Sequence, residues 1–453
     1  MGCVVIHERD NVEVSLDSGH KYALRDIASG DPVIKYGFPI GTAKRNIAAG
    51  ERVHTDNLKT SLSGELDYTY TPDIPDVDGK EPVMINAYVR ENGDVGIRND
   101  IWIVPTVGCV NGIAARLAEE TGAFAFAHPY GCSQLGGDHE TTQKTLAALV
   151  RHPNAGGVLV LGLGCENNNI SKFRKVLGDV DERRVRFLNC QDADDEILQG
   201  VQIISELRAV SECDRREPVP ISKIRIGLKC GGSDGLSGIT ANPLCGRITD
   251  RLVSMGGTAV LTEVPEMFGA EQLLMNRCVD ENVFNSTVSL INGFKRYFIS
   301  HGQPVGENPS PGNKEGGITT LEEKSLGCVQ KGGSAPVTAV LSCGDTAKKP
   351  GLNLLDGPGN DMVAVTNLTA AGCQIILFTT GRGTPLGAPV PTVKIATNSV
   401  LANRKQNWID YDAQSGDADG LFDLIVDTVN GKRTKNEENG YREIAIFKDG
   451  VTL

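Results

Sequence analysis

Aromatic side chains are scarce, at 5% of the 453 residues with two Trp. That disfavours a site for a large planar cofactor. No apolar run approaches the roughly 20 residues of a bilayer-spanning helix. The first residues lack a basic stretch followed by an apolar one, so no secretory signal is expected. No Lys/Arg cluster reaches the density of a nucleic-acid surface, and the net charge of −12 opposes one. No Cys-x-x-Cys pair occurs among the twelve cysteines, which excludes zinc ribbons and thioredoxin-like motifs. Neither a Gly-x-Gly-x-x-Gly at a strand–helix junction nor a Walker pattern is present, so no nucleotide is implied. These exclusions leave a cytoplasmic protein with reduced thiols. Its length exceeds one ordinary core and predicts two or three domains.

What the chain has instead is a repeated grammar of apolar runs ending in glycine and a reactive side chain. The run 123–127 drops into a turn with His128, Cys132, Asp138 and His139. Run 101–107 ends in Gly108-Cys109, run 158–163 in Gly164-Cys165-Glu166, and run 224–228 in Lys229-Cys230-Gly231-Gly232. Reactive groups just past the carboxyl ends of strands sit where open α/β sheets bind ligands. The pattern is that of an enzyme.

Residues 1–70 read as a strand-rich module with two rhyming phrases, Asp26-Ile-Ala-Ser-Gly30 and Asn46-Ile-Ala-Ala-Gly50. Residues 60–82 have no apolar period and form a linker. From 83 to 215, strands alternate with helices over 112–120, 141–150, about 171–177 and 195–213, predicting a parallel sheet. Pro218 and Pro220 mark a second boundary, and residues 222–453 repeat the α/β grammar. There Asn242 reads as a helix N-cap before Pro243, Thr320 with Glu323 as a capping box, the segment 301–317 as a functional loop, and the tail 430–453 as surface structure.

Glycine amides and Arg382 suit a carboxylate, and Asn, Asp, Ser and Thr suit hydroxyls, so a small polyhydroxy acid fits these loops. His128, Glu263, Glu266 and Lys394 are candidate acid/base groups. Dehydrating a hydroxy acid needs a cation for the enediolate, a base, and an acid for the departing hydroxide. His20 and His54 offer a shared metal or proton-transfer site, or are plain turn histidines. Cys109, Cys165, Cys230 and Cys343 read first as quiet structural thiols, and Glu166 as a helix-capping charge.

Together these phrases resemble the altronate/galactarate dehydratase family. Gly19-His-Lys-Tyr-Ala-Leu24 and Gly50-Glu-Arg-Val-His54 are similar to its small SAF-type β-clip module. Gly96-Ile-Arg-Asn99, His128-x-x-x-Cys132 and Gly162-Leu-Gly-Cys-Glu166 match its middle part. Cys230-Gly-Gly-Ser-Asp-Gly235, Thr240-Ala-Asn-Pro243, Glu263-x-Pro-Glu266 and Gly381-Arg-Gly-Thr384 match its last. The resemblance implies an SAF-like β-clip module followed by two Rossmann-like α/β domains. It implies dehydration of a sugar acid to a 2-keto-3-deoxy acid with a divalent metal, iron(II) or else manganese. The loop Tyr130–Gly136 is similar to the altronate branch, making D-altronate the expected substrate and 2-keto-3-deoxy-D-gluconate the product. Galactarate dehydration and sulfolactate cleavage are the alternatives within the family.

On this basis the expected catalytic groups are His128, Cys132, Glu263 and Glu266. Gly231, Gly232, Asp234, Asn242, Arg382 and Lys394 are expected to bind substrate, and His20, His54 and Glu166 the metal. The partner is a small sugar acid, with neither nucleic acid nor membrane, in a homo-oligomer. Two other classes compete: an iron–sulfur dehydratase built on Cys109, Cys132 and Cys165, and a sugar-acid-binding protein without turnover.

Overall fold

In the amino-terminal part, short strands bury alternate side chains, as Val12 and Val14 do, in a four-stranded and a three-stranded antiparallel sheet. The computed structural model describes residues 2–453. The two rhyming phrases pair with each other: Ile27 and Ile47 exchange both backbone hydrogen bonds at 2.9 Å. Each phrase then turns on a glycine at positive φ, Gly30 at 90° and Gly50 at 77°. Residues 60–83 contain neither helix nor strand. Tyr68 and Tyr70 nevertheless anchor this stretch, through Glu271 Oε1 at 2.6 Å and the Cys278 carbonyl at 2.9 Å.

Met84–Val89 pairs antiparallel with Glu217–Pro220, so the prolines expected to mark a boundary lie in a strand. Beyond it a four-stranded parallel sheet runs in the order Phe124–Ala125, Asp100–Pro105, Ala155–Gly162, Val185–Asn189. The helix expected over 141–150 spans Gly136–Val150, so Asp138 and His139 lie in its first turn rather than in a loop. Its two opening glycines hid that start, because glycine reads as a breaker.

The last sheet has seven parallel strands. Its central strand Arg225–Cys230 lies between Thr258–Leu261 and Ile375–Thr380. The chain first builds outward past Thr258–Leu261, then returns to build past Ile375–Thr380. Strand order therefore reverses at Arg225–Cys230, and a crevice opens at its carboxyl end. The helix after it spans Ala241–Ser254 with Thr240 at the N-cap, which places Asn242 inside the first turn instead of capping it.

The expected surface tail is a seam. Ile444 and Ile446 are buried against residues of both parallel sheets. Arg442 pairs with Asp100 at 2.7 Å, and Asp138 accepts the Asp449 and Gly450 amides at 2.9 and 2.8 Å. Charge density made these residues read as surface, but Glu437, Arg442, Lys448 and Asp449 have partners elsewhere in the chain.

Candidate active site

The crevice is a cavity of about 630 Å³ lined by Cys230–Ser233, Glu263, Glu266, the 307–314 loop, Lys324, residues 359–362 and Arg382. The long loop expected to be functional forms one wall. Crowding explains the glycines. A Cβ on Gly231 would stand 2.6 Å from Asp361 Oδ2, and one on Gly381 would stand 2.3 Å from Asp234 Cγ.

Buried lysines and carboxylates line the floor. Lys229 Nζ lies 2.7 Å from both Glu263 Oε2 and Asp361 Oδ1. Burial works against its charge, but these carboxylates outweigh it and push its pKa up. Lys324 Nζ lies 2.8 Å from Glu266 Oε1, and Lys331 Nζ lies 2.9 Å from Cys230 Sγ. The two glutamates are driven apart. Burial, reinforced by the charge of Glu266, lifts the Glu263 carboxyl well above the usual range. Burial opposes ionisation of Glu266 too, but Lys324, Lys229 and Lys331 hold it below that range. Two carboxyls whose environments separate their pKa values form an acid/base pair.

Glu266 Oε2 also meets Cys230 Sγ at 3.3 Å and Cys328 Sγ at 3.2 Å. The Cys230 thiol is brought down to about 6 by its hydrogen bond with Cys328 and, against burial, by Lys331 and Lys229. Among the described residues these three are the group of ligand-type atoms that converges within 4.8 Å. Two thiols and a carboxylate are a donor set for a thiophilic transition metal.

The remaining expected residues divide. The Gly232 backbone and Arg382 are on the wall; Arg382 bonds Gly312 O at 2.9 Å and Glu315 at 2.7 Å through Nη1. Gly231 also lines the cavity, but its amide is spent on Thr379 O at 3.0 Å. Asp234 is a half-buried pin whose carboxylate accepts from Ser237, Leu236, Thr397 and Asn398. Asn242 is likewise committed, to Gly327 O and Thr379 Oγ1. Lys394 lies behind Phe378, its Nζ 3.8 Å from the ring centroid, and burial lowers its pKa to about 7.

His20 and His54 stand edge to face, centroids 5.9 Å apart, where the small module meets the cavity loop. His54 Nε2 lies 2.8 Å from Lys314 O, and His20 Nδ1 lies 3.1 Å from Arg52. No third ligand-type side chain converges on them among the described residues.

His128, Cys132 and Glu166 belong to the other parallel sheet. His128 is buried with both ring nitrogens engaged, Nε2 with Pro105 O at 2.8 Å and Nδ1 with the Tyr130 amide at 3.2 Å. It cannot take a proton from a substrate without breaking its own turn. Glu166 accepts from Leu163 N, Gly164 N and Thr106 Oγ1, so it closes its own loop at the other sheet rather than joining His20 and His54. Sequence reasoning missed Lys324, Lys331 and Cys328. It quoted Lys229 without assigning it a role, although a lysine inside an apolar strand is a signal, since buried lysines need partners.

Three family profiles match the chain. They are the altronate/galactarate dehydratase SAF domain over residues 5–61, the D-galactarate dehydratase/altronate hydrolase second domain over 87–212, and the D-galactarate/altronate dehydratase C-terminal domain over 221–452. The chain belongs to the altronate/galactarate dehydratase family. Within that family it is 54% identical to the altronate dehydratase of Escherichia coli (strain K12), covering all of both chains. It is 52% identical to the altronate dehydratase of Bacillus subtilis (strain 168), over 98% of this chain and 93% of that one. Identity to the galactarate dehydratase (L-threo-forming) of E. coli K12 is 32%, over 95% of this chain and 90% of that one. The chain is an α/β enzyme with a small SAF module, and family and thiol–carboxylate group together point to a metal cofactor. Among the described residues no helix is long and apolar enough to cross a membrane.

Proposed function

We propose that this protein is a hydro-lyase converting D-altronate to 2-keto-3-deoxy-D-gluconate and water. The observation that carries the reading is full-length identity above one half to two altronate dehydratases, combined with a cavity that holds a separated acid/base pair. The lower identity to galactarate dehydratase favours altronate over galactarate.

Arg382, whose other guanidinium nitrogens have no partner among the described residues, receives the substrate carboxylate together with the Gly232 backbone. Glu266, kept ionised by the lysines, takes the C2 proton through Oε1, which Lys324 holds in the cavity wall. Glu263, whose carboxyl burial and Glu266 lift above the usual range, donates its proton to the departing 3-hydroxyl. The lysine cluster balances the negative charge that develops between these steps. Cys230, Glu266 and Cys328, rather than His20 and His54, would hold the metal, and iron(II) suits their thiols better than manganese(II). When bound it supplies a Lewis acid for the substrate's carboxylate and 2-hydroxyl. We place the enzyme in the cytoplasm, where its free thiols stay reduced, as a homo-oligomer.

Formation of 2-keto acid is the test, run over altronate, galactarate, gluconate and sulfolactate with chelator-stripped protein and with iron(II) or manganese(II) restored. Turnover of altronate alone, dependent on added metal, is expected. Absence of turnover in folded, metal-loaded protein would overturn the reading.

A further inference from the structure

The four-stranded parallel sheet carries chemistry at its carboxyl edge that the dehydration does not use. Three adjacent strands, Phe124–Ala125, Asp100–Pro105 and Ala155–Gly162, stand side by side, about 4.8 Å apart. The loop after each delivers a free, exposed cysteine: Cys132, Cys109 and Cys165 in that order. Cysteine is among the most buried residue types. Of the five exposed cysteines, Cys3, Cys109, Cys132, Cys165 and Cys213, three belong to this one edge.

The loops that carry them are stitched together. Gly108 N donates to Tyr130 O at 2.8 Å, and Asn168 N to Gly131 O at 2.9 Å. A Cβ on Gly131 would lie 2.0 Å from Thr106 O, so the turn bearing Cys132 presses against the loop bearing Cys109. Glu166, next to Cys165, accepts from Thr106 Oγ1 at 2.6 Å. Gln191 Nε2 donates to Cys165 Sγ at 3.6 Å. Hydrogen bonds to ligating sulfur are the means by which proteins tune iron–sulfur centres.

The spacing excludes a single ion. The three thiols do not converge within the 4.8 Å reached by Cys230, Glu266 and Cys328, which is too open for one tetrahedral ion held by thiolates. A cluster spreads its ligands over several irons. We propose that Cys109, Cys132 and Cys165 bind a cluster of four irons and four sulfides, each thiol losing its proton to ligate one iron, with the fourth iron left without a cysteine. This centre is separate from the altronate cleft and does not depend on the reaction assigned there.

The test uses the full-length protein, incubated anaerobically with equal iron(II) and iron(III) and with sulfide, the ratio that a mixed-valence four-iron cluster requires. Acid-labile sulfide rising to about four per chain, with thiolate-to-iron absorption in the visible, is the expected result. Sulfide, not iron alone, is the readout, because the cleft takes iron too. C109S, C132S and C165S should each lose the sulfide and the colour, while C3S and C213S keep both. Unfolding of each variant in metal-free buffer should match that of the parent, since the substituted thiols are exposed. Wild-type protein that is folded and takes up iron without sulfide would overturn the proposal, as would a triple serine variant that retains the cluster.

Discussion

Lys21 of the small module meets Glu323 of the last part of the chain at 2.8 Å, with both side chains sealed from solvent. Lys35 reaches the other oxygen of the same carboxylate at 2.9 Å. Burial opposes the charge of Glu323, but the two ammoniums hold its carboxyl well below the usual range. E323Q leaves two buried cations facing an amide, and should cost about 3–5 kcal/mol in urea unfolding. The sign of the pH dependence follows: a depressed carboxyl contributes stability above its unfolded value near 4.3. That contribution is lost as pH falls through the lower folded value. The parent should therefore weaken in acid along a limb that E323Q lacks.

Glu263 is assigned as the proton donor. E263Q keeps the shape and removes the acid, and should lower kcat by about 10²–10⁴-fold. Because its pKa is raised, the donor persists above the usual carboxylate range and disappears as pH rises through the folded value. An alkaline fall in kcat/KM in the parent, missing from residual E263Q activity, is the expected profile.

Metal binding separates the two ligand groups. C230S and C328S should weaken iron(II) binding by more than the roughly 10–100-fold typical of losing an outer partner. H20A and H54A should leave iron stoichiometry unchanged. Titration of stripped protein with iron(II) under anaerobic conditions distinguishes them.

Arg382 should act on binding. R382A removes a charge-assisted hydrogen bond, worth about 1.5–3 kcal/mol. KM for altronate should rise by roughly tenfold or more, with a smaller effect on kcat, and steady-state kinetics read both.

Two glycines test the docking of the small module. A Cβ on Gly235 would fall 1.9 Å from Gly19 O, so G235A should push the module off its seat and expose residues 60–83 to protease. Gly30 faces open space, and G30A should cost only the about 1–2 kcal/mol of a left-handed alanine.

The regular grammar of the chain was legible because strand ends announce themselves. Apolar runs closed by Gly-Cys became parallel strands, and Glu263 and Glu266 line the cavity because they follow one directly. The rest depended on contacts that no local pattern encodes. Thr320 caps its helix, but Glu323 turns away from the expected box to meet Lys21 and Lys35. His128 stands just past a strand, as a catalytic base would, yet its nitrogens serve the turn. Cys328 ends a short helix, and only the packing of that helix against the 3-10 turn Val264–Met267 brings it to Glu266. Arg442 and Glu437 in the tail looked solvated because their partners, Asp100 and Arg98, lie more than three hundred positions earlier.

That tail has a consequence for the order in which the molecule can be completed. The first turn of Gly136–Val150 is tied through Asp138 to amides at 449 and 450. Synthesis delivers the middle sheet long before the residues that fasten it. The middle third of the chain must therefore wait on the ribosome with part of its apolar surface uncovered, and the last dozen residues act as a latch that closes two separately built sheets into one enzyme.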